Sequence, residues 1–110
     1  MKKSLYHNYI VLPILNGLTP TTESCTMKVL EEVGELMQKI GKEQRKSGEE
    51  LAYAGRKRDW AIDTIREAID TAQAAITMAY TLCEEHEVDL SAMLIIHSMK
   101  MKEKGYLVEK

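Results

Sequence analysis

The chain has 110 residues, 45% hydrophobic and 29% charged, and a net charge of −2. That length fits one domain and sits near the size at which a single chain struggles to bury a large core alone, so self-association is expected from the start. The charge balance offers no basic excess for wrapping a phosphate backbone, and a composition with no Phe, one Trp and seven Met favours helices over a sandwich of strands.

Residues 1–18 read as an arm. Met1-Lys2-Lys3 followed by Tyr9-Ile10-Val11-Leu12 superficially resembles a signal peptide, but the apolar run is short, Pro13 interrupts it and no small-x-small cleavage site follows. No later stretch is apolar enough to span a bilayer, so neither a membrane nor a nucleic acid is an expected partner. Cys25 and Cys83 lie far apart at no ligand spacing, which suits reduced thiols in a cytoplasmic protein.

Thr19-Pro20 looks like an N-cap followed by proline in the first helical position. A helix is expected from there, with an apolar stripe of Met27, Leu30, Val33, Met37 and Ile40, and with Gly34 and Gly41 on the same arc to admit a neighbouring helix. It should fade across Gly41 to Gly55, where residues 49–54 can form a short helical turn. A second long helix is expected from about Lys57–Trp60 to His86, because Ile62, Ile65, Ile69, Ala72, Ile76, Ala79 and Cys83 alternate spacings of three and four as in a coiled coil. Asp89 caps a third helix, which ends near Lys104-Gly105. The fold class this predicts is all-α: an antiparallel helical bundle in one domain over 1–110, its core completed by homo-oligomerisation.

The chemistry sits on the two long helices. Glu31, Glu32 and Glu35 project within about a third of the helix circumference and can converge on one point. They can equally form a solvated face in which Lys28 pairs with Glu32 and Glu35 with Lys39. On the second helix Asp70 is the only charge between Ala68 and Cys83, and such an apolar helix predicts a buried Asp70 that needs a cation; Glu67 lies one turn before it. Glu32 with Glu35 and Glu67 with Asp70, facing across antiparallel helices, make an all-oxygen cage suited to Mg²⁺. A di-iron site would want Glu-x-x-His pairs, and neither pair contains histidine.

Three other features have ordinary explanations. Lys100 and Lys104 complement a helix C-terminus as readily as they bind phosphate. His7, His86 and His97 are scattered and none is assigned to a metal, and Trp60 at a helix start reads as a core anchor before it reads as a base-stacking ring.

The run Leu30-Glu31-Glu32-Val33-Gly34-Glu35-Leu36, then Glu67-Ala68-Ile69-Asp70, then Lys100-Met101-Lys102-Glu103-Lys104-Gly105-Tyr106-Leu107, resembles the MazG-like nucleotide pyrophosphohydrolases of the all-α NTP pyrophosphatase superfamily. The resemblance covers about residues 20–107. It implies hydrolysis of a (deoxy)nucleoside triphosphate to monophosphate and pyrophosphate, in nucleotide-pool house-cleaning, by a homodimer or homotetramer. It assigns Glu32, Glu35, Glu67 and Asp70 as ligands of Mg²⁺, for which Mn²⁺ can substitute. It makes Glu31 the carboxylate that orients or deprotonates the attacking water, and Lys100 and Lys104 the basic pair that holds the triphosphate. Two alternatives stand beside it: a related all-α pyrophosphatase acting on a deoxyuridine nucleotide or phosphoribosyl-ATP, and a non-enzymatic helical interaction module.

Overall fold

The computed structural model describes residues 9–43, 53 and 55–108, with only the backbone of Lys42 and Glu43; the turn expected over 49–54 lies outside the described residues apart from Tyr53. Among the described residues the structure is all-α, with three helices and no strand: α1 over Thr22–Glu43, α2 over Lys57–His86 and α3 over Leu90–Glu103. No helix is long and apolar enough to cross a membrane.

The start of α1 corrects the expected cap. The backbone carbonyl of Thr21 accepts the first helical bond, from Cys25 N at 2.9 Å, so the N-cap is Thr21 and Pro20 lies before it. Thr21 and Ser24 cap each other: Ser24 N donates to Thr21 Oγ1 at 3.1 Å and Thr21 N donates to Ser24 Oγ at 2.9 Å. This is a capping box with serine in place of the usual Glu or Gln, and that is why the Thr19-Pro20 signal points two residues early.

The other two helices run where the periodicity places them. Glu87 leaves α2 in the left-handed conformation at φ 54°, and Val88 N bonds back to Cys83 O at 2.9 Å, closing the helix end before α3. Asp89 caps α3 as expected, its side chain accepting from Ser91 N at 2.9 Å and Ala92 N at 3.4 Å. Gly105 at φ 78° takes the chain out of α3.

α1 and α2 pair antiparallel. Thr22 at the start of α1 donates to Glu85 near the end of α2, Cys25 Sγ lies 3.7 Å from Thr81 Oγ1, and the indole N–H of Trp60 donates to the Lys39 carbonyl at the other end. The bonded pairs 25–81 and 39–60 bracket the buried Glu32 and Ala74 between them. The buried residues fall on this seam: Cys25, Glu32, Ala74 and Thr81. Trp60 is thus an anchor of the helix pair, as expected.

The apolar stripes are only partly covered within one chain. Met27, Leu30 and Met37 on α1 are 64%, 66% and 55% exposed, and a Cβ added at Gly34 or Gly41 would meet nothing within 4 Å among the described residues. On α2 the isoleucine series is open at Ile65 and Ile69, 56% and 51% exposed. α3 touches α2 only sparsely and α1 not at all, and none of its residues is buried. The α1–α2 seam therefore mixes small and polar residues, while large apolar residues of all three helices remain exposed in one chain.

Candidate metal centre

The α1–α2 pairing brings carboxylates together because Glu32 of α1 faces Glu67 and Asp70 of α2. Glu32 is only 5% exposed, and its Oε1 takes an ion pair from Lys28 Nζ at 3.1 Å. Its other oxygen, Oε2, is buried with no hydrogen-bond partner, and Oε2 of Glu67 is in the same state. A buried acceptor left without a donor costs roughly 1–3 kcal/mol, and two at one place amount to a shared want of positive charge.

Ligand oxygens of Glu32, Glu67 and Asp70 lie within 4.8 Å of one another, as do those of Glu31, Glu32 and Glu35, so Glu32 belongs to both groups. Glu35 is tied to the α2 side as well. A hydrogen bond with Glu67, followed by the negative charge of Glu32, holds the Glu35 carboxyl above its ordinary pKa. Oxygens around Mg²⁺ at about 2.0–2.1 Å stand roughly 3–4 Å apart, so small side-chain movements would close either group on a cation. The donor set, all carboxylate oxygen with two unsatisfied atoms, fits a hard divalent ion and no softer one.

The burial of Asp70 corrects an expectation. α2 is covered on one face only, and Asp70 is exposed; the carboxylate deep in the seam is Glu32. The apolar sequence around Asp70 reflects outward faces that this chain leaves open.

The solvated-face alternative holds at one pair and fails at the other. Lys28 pairs with Glu32 and also reaches Glu31 at 3.4 Å, which raises the lysine pKa, chiefly through the hydrogen bond to Glu32. Lys39 turns away from Glu35: its Nζ donates to Tyr53 Oη at 3.2 Å, and Tyr53 donates to Asp63 Oδ2 at 3.1 Å. Asp63 also pairs with Arg66 at 3.7 Å, which removes it from the cluster.

Glu31, with a side chain 58% exposed, sits at the rim beside Lys28. Lys100 and Lys104 are exposed on α3 and at its end, and neither makes an ion pair among the described residues. α3 has no contact with α1, so the basic pair is not brought to the carboxylates within one chain. Lys28 as the counter-ion of Glu32 was readable from its four-residue spacing. Gln73, one turn beyond Asp70, donates through Nε2 to the Pro13 carbonyl at 3.0 Å and so fixes the arm beside the cluster; no sequence signal marked it. Comparison of the chain with protein-family models, with curated proteins and with solved structures finds no match.

Proposed function

We propose that the protein is a Mg²⁺-dependent nucleoside triphosphate pyrophosphohydrolase of the MazG-like kind. The observation that carries the proposal is the pair of buried, unpartnered oxygens, Glu32 Oε2 and Glu67 Oε2, in a group of carboxylates that also includes Asp70. Glu32, Glu35, Glu67 and Asp70 would hold the cation, with Mn²⁺ as a substitute. When bound, the ion neutralises phosphate oxygens and makes a water more acidic. Glu31, exposed at the rim, would orient or deprotonate the attacking water. Near the cluster, Ser24 Oγ donates to the Thr21 carbonyl and Cys25 Sγ lies against Thr81 Oγ1, so neither is bonded to a carboxylate base among the described residues, which agrees with direct attack by water.

Assembly belongs to the same proposal. An antiparallel bundle in one domain over 1–110 is completed by a second copy, in a homodimer or homotetramer, because Met27, Leu30, Ile65 and Ile69 and the whole of α3 lie open in one chain. Lys100 and Lys104 on α3 then hold the triphosphate. A nucleotide substrate drawn from the cellular pool places the enzyme in the cytoplasm. The same open faces favour a second reading, a non-enzymatic interaction module whose carboxylates need no metal.

The test is pyrophosphate release from a panel of nucleoside triphosphates in Mg²⁺ and in chelator. Metal-dependent release by the wild type, nearly abolished in Asp70→Asn with the helical content retained, is the expected result. No release from any substrate, or full activity in Asp70→Asn, contradicts the proposal.

A further inference from the structure

The arm has a place beside the carboxylates. A cavity of about 550 Å³ is lined by Leu15 and Leu18 of the arm, by Cys25 and Ala74 of the helix seam, and by Glu32 and Asp70. Its volume falls within the usual range for a small-molecule site, and apolar walls with a few polar groups are the usual make-up of one. Ser24 and Thr77 supply hydroxyls to the same cavity. One side chain fixes the arm over it: Gln73 Nε2 donates to the Pro13 carbonyl at 3.0 Å and to Thr77 Oγ1 at 3.1 Å. Gln73 follows Asp70 by three residues on α2, so the anchor of the arm and a carboxylate of the cluster occupy one helix face. Leu18 remains 59% exposed, apolar surface that gains nothing from its position in the bare chain.

The geometry points to this cavity as the seat of the base and sugar of a nucleotide whose phosphates face Glu32 and Asp70, with Leu15, Leu18, Thr19 and Pro20 as the wall that grips the base and Gln73 as the residue that positions that wall. A triphosphate chain alone has no use for leucine, alanine and a thiol, whereas an uncharged ring does. The inference rests on the nucleotide reading of the carboxylate cluster, but it concerns recognition and not cleavage.

The experiment is calorimetric binding, in Mg²⁺, of the non-hydrolysable α,β-imido analogues of the four deoxynucleoside triphosphates and of inorganic tripolyphosphate to the full chain and to Leu18→Ser and Gln73→Leu. Both variants are expected to weaken the best-bound nucleotide by about ten-fold or more while changing tripolyphosphate by less than about two-fold. A merely structural role would move both ligands together. Leu18→Ser alters an exposed arm residue, so it keeps the test open where Gln73→Leu disturbs α2. The inference is overturned by equal losses for nucleotide and tripolyphosphate, by unchanged nucleotide affinity in both variants, or by a wild type that binds no nucleotide better than tripolyphosphate. Nucleotide binding that depends on Leu18 in a protein that releases no pyrophosphate would support the cavity assignment and remove only the pyrophosphohydrolase proposal.

Discussion

The Lys28 ammonium lies 3.1 Å from Oε1 of Glu32, one turn further along α1, and leaves Oε2 of the same carboxylate buried and without a donor. Lys28 is itself 57% exposed, so it half-answers a buried charge from the solvent side. On the proposed reading, a divalent cation would compete with this ammonium for the same glutamate. Lys28→Met should therefore lower the melting temperature in chelator and enlarge the rise produced by Mg²⁺, since an ion bound only by the folded state stabilises it. Scanning calorimetry of both proteins with and without metal checks this; an unchanged metal response would show that Lys28 and the cation do not share Glu32.

Stability in the absence of metal should fall with rising pH. Hydrogen bonding to Glu67 and the charge of Glu32 raise the Glu35 pKa above its ordinary value of 4.5, so the folded chain holds that proton more tightly than the unfolded chain does. The resulting stabilisation is complete below the ordinary value and is lost as pH climbs through the raised one. Denaturant titrations across that window should show a downward slope that is reduced in Glu35→Gln and reduced in wild type by Mg²⁺, which replaces the proton. A slope identical in Glu35→Gln would assign the effect to other groups.

The basic pair is tested by kinetics. If Lys100 and Lys104 hold the triphosphate, Lys100→Ala should reduce kcat/KM by about 10–100-fold, the loss expected for one charge-assisted contact. Lys102 lies about 200° around the helix from Lys100, and Lys102→Ala should do much less. Equal, small effects from Lys100→Ala, Lys102→Ala and Lys104→Ala would leave the lysines as complements of the helix dipole.

Light scattering should give at least a dimer at micromolar concentration. Ile65→Lys with Ile69→Lys places charge on the open α2 face and should shift the mass toward monomer without loss of helix. A monomeric wild type would mean that the open faces of α1 and α2 are not interfaces between copies of this chain.

Periodicity made the helices legible. The unbroken three-four spacing over Ile62–Cys83 located α2, and Asp89 and Gly105 marked both ends of α3. It misdirected the packing. Apolar spacing shows which face is buried somewhere, and in this chain the stripes at Met27–Met37 and Ile65–Ile69 are uncovered while the α1–α2 seam runs through Cys25, Glu32, Ala74 and Thr81. The carboxylates were visible as spaced pairs, but which of them is buried was not. Asp70 drew attention through its apolar neighbours, whereas Glu32, flanked by Glu31 and Val33, owes its burial to the α1–α2 contact, which appears only once the helices pair. Gln73 was silent for a related reason: its partner is a backbone carbonyl 60 residues away in the arm.

A calorimetric titration of the metal-free protein with Mg²⁺, with Glu32→Gln as the comparison, tests the proposed cation site. Saturable binding to the wild type is expected, weakened by more than about ten-fold in Glu32→Gln, since that change removes charge from the carboxylate common to both acidic groups. Absence of binding to the wild type, or binding undiminished in Glu32→Gln, would contradict it.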